Sequence, residues 1–261
     1  MGIINVTPDS FSGDGLGADR LAPLRQAERF IREGADLLDV GGESSRPGAA
    51  PVGLDEELDR VLPVVDMLRP LGVPVSVDTY KPAVMEAVLS AGADMINDIR
   101  GFREVGALDA VARHDSAALC IMHMQGDPAT MQNSPHYQDI CSEVGAFLRA
   151  RVAAALAAGI ARARIAVDPG FGFGKRLEDN LALFRALGPL GRSLGLPLLV
   201  GVSRKSMLGA ITGKSVEGRG VASVAAAVLA VQRGARIVRV HDVEATRDAL
   251  AVWSAVSCGS Q

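Results

Sequence analysis

The chain is short of aromatic residues, histidines and cysteines, has no excess of positive charge, and contains no long apolar run. Each shortage closes off a class of function. Aromatics make up 4% of the 261 residues, with a single Trp, too few for the stacking platforms on which single-stranded nucleic acids lie. Lys and Arg number 27 against 30 Asp and Glu, a net charge of −3. No overall basic field therefore draws in a polyanion, and any anion site must be local. The three cysteines, Cys120, Cys141 and Cys258, form no CxxC pair and are odd in number. They read as reduced thiols of a cytoplasmic protein, not as a disulfide frame. No HExxH and no clustered His/Cys set offers a zinc site. No apolar run approaches the roughly 18 residues of a membrane span, and no secretory leader is read at the start.

What is present is aliphatic. Apolar residues reach 48%, enough for a large core of Val, Leu, Ile and Ala. Short apolar runs alternate along the chain with segments of three-to-four-residue apolar spacing. Each run ends in a polar group. Asn5 ends the first, Asp39 the second, Asp78 the third and Asn97 the fourth. His123 follows Leu119-Cys-Ile-Met, and Asp168 ends Ile165-Ala-Val-Asp. Ser203, Arg204 and Lys205 follow the seventh run, and Arg239 and His241 close the eighth. Eight strand-then-helix units imply parallel pairing with right-handed crossovers. The length is that of one (β/α)8 TIM barrel, whose active site lies at the C-terminal ends of its strands. The expectation is a single α/β barrel domain over residues 1–261. An open doubly wound sheet is the alternative, but it would favour a first-turn GxGxxG that is absent. Helices are expected near 23–33, 54–69, 81–91, 104–114, 137–158, 177–194, 216–233 and 243–256. Met1 falls almost on the first strand, so an element covering the bottom of the barrel from the N-terminal side is expected to be missing from this chain.

Two glycine-rich motifs carry little. Gly209-Ala-Ile-Thr-Gly-Lys-Ser has three residues between its glycines where a phosphate loop needs four, and Gly170-Phe-Gly-Phe-Gly-Lys lacks the dinucleotide spacing. The strand ends carry more. Asp78, Asn97 and Asp168 in an apolar barrel mouth are costly without partners. Together they suit a ligand with a row of donors and acceptors, such as an aminopyrimidinone ring, whose amino and ring N–H groups one carboxylate accepts in two parallel bonds. Arg46, Arg204, Lys205, Arg239 and His241, with Ser45 and Ser203, form a cationic set. Loops after the seventh and eighth strands of barrels often bind phosphate, and the Ser-Arg-Lys-Ser run can open a short helix toward an anion. Asn5 could help place a Mg2+–diphosphate complex, because Mg2+ takes few protein ligands and relies on phosphates and water.

These residues resemble the dihydropteroate synthase family over essentially the whole chain. The resemblance rests on Gly2-Ile-Ile-Asn-Val-Thr-Pro-Asp-Ser-Phe-Ser, Gly41-Gly-Glu-Ser-Ser-Arg-Pro-Gly, Ser76-Val-Asp-Thr, Ile96-Asn-Asp and Met122-His-Met-Gln-Gly. It continues in Asp168-Pro-Gly-Phe-Gly-Phe-Gly-Lys, Ser203-Arg-Lys-Ser and Arg239-Val-His-Asp. The family often has Thr where Ser45 stands, and its first loop commonly reads Ser-Asp-Gly-Gly where this chain has Ser-Gly-Asp-Gly. The resemblance implies that 4-aminobenzoate displaces diphosphate from 6-hydroxymethyl-7,8-dihydropterin diphosphate to give 7,8-dihydropteroate. It implies that Asp78, Asn97, Met122, Asp168 and Lys205 hold the pterin. Asn5, Ser45, Arg46, Arg239 and His241 would bind the diphosphate, with Mg2+ at Asn5. Ser45, Arg46, Phe173, Lys205 and Ser206 would frame the 4-aminobenzoate. Asp78, Asp168, Lys205, Arg239 and His241 are the expected catalytic set. It further implies a homodimer through the late helices near 216–256 and competition by sulfonamides, which mimic 4-aminobenzoate. The long first and second loops are expected to close over the site when diphosphate is present. A rival reading is a methyltetrahydrofolate-dependent corrinoid methyltransferase barrel, which would share the pterin-holding Asp and Asn but not the cationic runs.

Overall fold

A computed structural model describes residues 1–6, 20–45 and 48–257. Its eight strands are β1 (Gly2–Asn5), β2 (Leu38–Gly41), β3 (Val75–Asp78), β4 (Met95–Asp98), β5 (Ala118–Met122), β6 (Ile165–Asp168), β7 (Leu198–Val200) and β8 (Ala235–Val238). They form one parallel sheet in sequence order. Most strand residues are buried on both faces, so the strands read as continuous apolar runs. The sheet curls far enough for its first and last strands to approach each other. Gly2 pairs in parallel with Val240, just beyond β8. The Ile3 amide donates to the Val240 carbonyl at 3.1 Å, and the Val240 amide to the Met1 carbonyl at 3.0 Å.

Ten α-helices are seen among the described residues: α1 (Ala22–Arg32), α2 (Leu54–Leu68), α3 (Pro82–Ser90), α4 (Ala107–Ala112), α5 (Ile140–Ala157), α6 (Leu177–Arg185), α7 (Leu187–Leu194), α8 (Ser206–Thr212), α9 (Gly220–Gln232) and α10 (Val243–Ser257). Their apolar stripes pack on the outer face of the sheet in one continuous cluster that includes Phe30, Val61, Leu68, Met85, Leu148 and Leu183. Two helices differ from the spacing pattern. The segment expected at 177–194 is broken after Arg185, because Pro189 has no N–H to return to the Arg185 carbonyl. The segment expected at 104–114 is helical only from Ala107, after Gly106 turns the chain at φ +86°. By contrast, α5 starts where Asp139 accepts from the amides of Cys141 and Ser142, the expected use of an N-cap carboxylate.

The inner face of the sheet is layered. A small cluster of Met1, Met95, Cys120, Ala166 and Leu199, with Leu37, Ala118 and Ile237 against it, fills its lower part. Two residues further along the same strands, on the same face, the layer becomes polar: Leu37 gives way to Asp39, Met95 to Asn97, Ala166 to Asp168 and Ile237 to Arg239. Strand periodicity thus stacks a layer of charge directly on an apolar floor.

Candidate active site

Arg239 organises the polar layer. Its Nε donates to Asp39 Oδ2 at 2.5 Å and its second terminal nitrogen to Asp78 Oδ2 at 3.0 Å. Asn97 Nδ2 lies 3.5 Å from the same Asp39 oxygen. Burial works against the Arg239 charge, yet Asp39 and Asp78 hold it above its ordinary value. Burial pushes Asp78 up to about 7, and Arg239 only partly offsets this because its charge is shared with Asp39. Asp39 Oδ1 and Asn97 Oδ1 are buried with no hydrogen-bond partner among the described atoms. Buried acceptors without donors are uncommon and point to a ligand or ordered water that supplies them.

Across the layer stand Asp168 and Lys205. Asp168 Oδ1 accepts from the Gly170 amide at 2.7 Å, while burial raises its pKa and Lys205 opposes that rise. Burial lowers Lys205 to about 8, with Asp168 acting in the other direction. The Lys205 ammonium donates to the Phe171 carbonyl and sits 4.2 Å from the centre of the Phe173 ring. Met122 packs with Ile99, Met124 and Met131 against Phe173 and Tyr80, an apolar wall beside the charged floor.

The loop after β6 has almost no regular structure, yet every carbonyl from Gly170 to Lys175 is capped by a side chain. Lys175 serves Gly170 and Phe173, Lys205 serves Phe171, Gln132 serves Gly172, Tyr137 serves Gly174 and Asn180 serves Lys175. Gly170 is at φ +71°, and a Cβ there would lie 1.9 Å from the His123 carbonyl oxygen. Only glycine allows the loop to lie this close to the end of β5.

The remaining residues named from the sequence fall into three groups. Asn5 ends β1 beside Gly41, where a Cβ would lie 3.9 Å from Asn5 Oδ1 and 3.7 Å from Asp78 Cβ; with glycine there, space is left open next to the amide oxygen. Ser45 borders a small cavity shared with Glu43, Asp78 and Tyr80. His241 Nδ1 lies 2.9 Å from Ser203 Oγ at the end of β8, and Ser206 is the exposed first residue of α8. Arg204 is drawn elsewhere: its guanidinium pairs with Asp242 at 2.6 Å. Arg46, and the first loop expected to act as a lid, lie outside the described residues. The second loop is held from below, where Lys81 bonds both Glu43, at 2.5 Å, and the buried Glu57, and Tyr80 donates to Glu43 at 3.1 Å.

The sequence profile described as "Pterin binding enzyme" matches residues 1–241. A dihydropteroate synthase of Neisseria meningitidis serogroup C is 51% identical over 259 residues, covering 98% of this chain and 92% of that one. This chain belongs to the pterin-binding enzyme family, among its dihydropteroate synthases. Solved structures of the family agree in fold. The Burkholderia cenocepacia enzyme complexed with 7,8-dihydropteroate superposes with a TM-score of 0.88 at 56% identity, covering 98% of this chain and 90% of that one. The Xanthomonas albilineans enzyme with 4-aminobenzoic acid gives 0.93 at 50% identity, with 99% and 93% covered. No membrane-crossing helix occurs among the described residues.

Two buried charges have no role legible in the sequence. Asp39 is there only a strand end, yet it is the closest partner of Arg239 and is fully buried. Lys175 is there only the end of a glycine-rich run, yet behind the loop after β6 it is 3% exposed. Its one sequence signal is a charge placed directly after three closely spaced glycines.

Proposed function

We propose that the polar layer at the C-terminal ends of the strands is the active site of the synthase, set in the mouth of a closed (β/α)8 barrel formed as one domain by residues 1–261. The observation that carries this reading is the convergence of Asp39, Asp78, Asn97, Asp168, Lys205 and Arg239 from six strands or strand ends onto one apolar floor. Asp78, Asn97, Asp168 and Lys205 receive the pterin ring, with Met122 in the apolar wall beside it. Arg239 uses three of its five N–H donors on the diphosphate, since the other two serve Asp39 and Asp78. Asn5, Ser45, Arg46 and His241 complete that subsite. Phe173, Lys205, Ser206, Ser45 and Arg46 frame the 4-aminobenzoate.

Magnesium fits this donor set in a limited way. No group of three or more His, Cys, Asp or Glu among the described residues could hold an ion alone. The Asn5 amide oxygen, with open space at Gly41, is the single hard donor that a Mg2+ carried by substrate phosphates and water requires. Bound there, the ion would help neutralise the departing diphosphate.

The chemistry follows from charge. An arylamine is neutral at pH 7 and needs no strong base. The hard step is departure of diphosphate, which cations fixed in a buried site stabilise as the charge develops. Asp168 stands where it favours positive charge on the pterin as the bond to diphosphate breaks. An advanced departure of the leaving group predicts a secondary deuterium isotope effect well above unity at the pterin methylene; a value near unity would mean that the arylamine bonds to carbon as diphosphate leaves, in one concerted displacement.

The exposed apolar groove between α9 and α10, bordered by Val221, Leu229, Val252 and Val256, supports a homodimer through the late helices. Asp242, the partner of Arg204, lines its edge. Reduced Cys120 and Cys141 support a cytoplasmic location.

The deciding experiment follows diphosphate release from purified protein with pterin diphosphate, Mg2+ and 4-aminobenzoate, each omitted in turn. Release that requires all three, with dihydropteroate formed, is expected. No release with all three present, or release with no dihydropteroate formed, would overturn the assignment of this layer.

A further inference from the structure

Lys175 is a buried cation to which the reading above gives no task. Its side chain enters the protein directly behind the loop that carries Phe173, and its ammonium has four neighbours within hydrogen-bond reach. These are the Gly170 carbonyl at 2.8 Å, the Phe173 carbonyl at 3.1 Å, the His123 carbonyl at 3.3 Å and His123 Nδ1 at 2.9 Å. An ammonium has three donors, so all are spent on this one seam. Burial holds Lys175 down to about 7, with Asp168 opposing. Burial and the Lys175 charge keep His123 down to about 3, so its ring is neutral and can accept.

The seam joins two strand ends. His123 follows β5, and Gly170 and Phe173 belong to the loop after β6. The loop's own backbone supplies one bond to these carbonyls, from the Phe173 amide to the Gly170 carbonyl at 3.2 Å, and its glycines at 170, 172 and 174 all adopt positive φ. Its other fastenings act elsewhere along it: Gln132 and Tyr137 hold the Gly172 and Gly174 carbonyls, Lys205 holds that of Phe171, and Asn180 holds the Gly172 amide and the Lys175 carbonyl. On the site side, Phe173 lies 4.2 Å from the Lys205 ammonium, and a Cβ at Gly172 would lie 3.1 Å from Lys205 Cδ. The loop backbone therefore sets where the Phe173 ring and the Lys205 head sit relative to each other.

We propose that Lys175 is a positioning residue of the 4-aminobenzoate subsite, tying the Gly170 and Phe173 carbonyls to the end of β5 and so fixing Phe173 over Lys205. Lys175 touches neither substrate; it acts through Phe173. The inference rests on the assignment of Phe173 to that subsite.

The test is a kinetic cycle with Lys175→Met, which keeps the length of the side chain and removes its donors. The single variant is expected to raise KM for 4-aminobenzoate about tenfold, with kcat per folded molecule and pterin Kd each changed less than about threefold. In a Phe173→Ala background the same substitution should add less than about twofold to KM, since the residue it positions is gone. Lys175→Gln, which retains two donors, repeats the measurement if the Met variant is poorly folded and should show a smaller rise. An unchanged KM in folded Lys175 variants, with Phe173→Ala alone raising KM, would overturn the positioning role and leave the subsite intact. Effects of Lys175→Met and Phe173→Ala that simply multiply would also overturn it. If Phe173→Ala leaves KM unchanged, the subsite assignment fails and the inference falls with it.

Discussion

In the proposed site, Asp168 and Asp78 would accept the same kind of pterin edge from different electrostatic positions. Asp168 has Lys205 nearby and one backbone amide bonded to Oδ1, which would leave its other oxygen as the acceptor for the ring. Replacing it by Asn turns one acceptor into a donor facing donors. Asp168→Asn is expected to weaken pterin binding about 10- to 100-fold, read as Kd by calorimetry; equal affinity would exclude the pairing. Asp78 adds a pH dependence. Its pKa is raised from 3.8 to about 7, so below that pH it carries a proton and cannot accept two donors. Pterin affinity should climb between about pH 6 and 8 and then level off, and Asp78→Asn should flatten the profile at a weak affinity. The sign for stability is the reverse. The folded state holds the Asp78 proton where the unfolded chain does not, so this group's contribution to stability falls as pH rises from 3.8 to about 7.

At the scale of the element, the loop after β6 is the most constrained segment of the site. It is held by side-chain caps on its carbonyls and by glycine where a Cβ would strike the neighbouring strand end. Gly170→Ala must place a methyl 1.9 Å from the His123 carbonyl at a φ of +71°. A loss of at least about 2 kcal/mol in stability, read from urea unfolding, is expected. Little or no shift in the midpoint would mean that the loop does not lie against β5 as described. The pairing of Glu43 and Glu57 with Lys81 plays the corresponding part for the second loop, anchoring its first residues to α2 and the end of β3.

For the whole molecule, the relevant surface is the groove between α9 and α10. Val221 is 84% exposed and Val252 65%, unusual for valines on neighbouring helices, and this patch is what the proposed homodimer would cover. Val221→Glu together with Val252→Glu is expected to convert a dimer to a monomer in sedimentation velocity. A wild-type chain that sediments as a monomer at all concentrations would refute the dimer.

The sequence by itself determined the alternation of strand and helix, the number of strands and the identity of most residues in the polar layer. It could do so because a buried parallel strand is a short continuous apolar run, and a charged residue ending such a run stands out. It did not determine where those charges point. Arg204 and Arg239 end neighbouring runs, yet one pairs with Asp242 and the other with Asp39 and Asp78. That choice depends on which strand ends the curl of the sheet brings within reach. The break before α7 was written in Pro189 but hidden by a helical apolar spacing that continues across it. The tasks of Asp39 and Lys175 were decided by tertiary structure alone, since a side chain's partners across 200 residues, or under a loop folded onto another strand, leave no periodic trace in the chain.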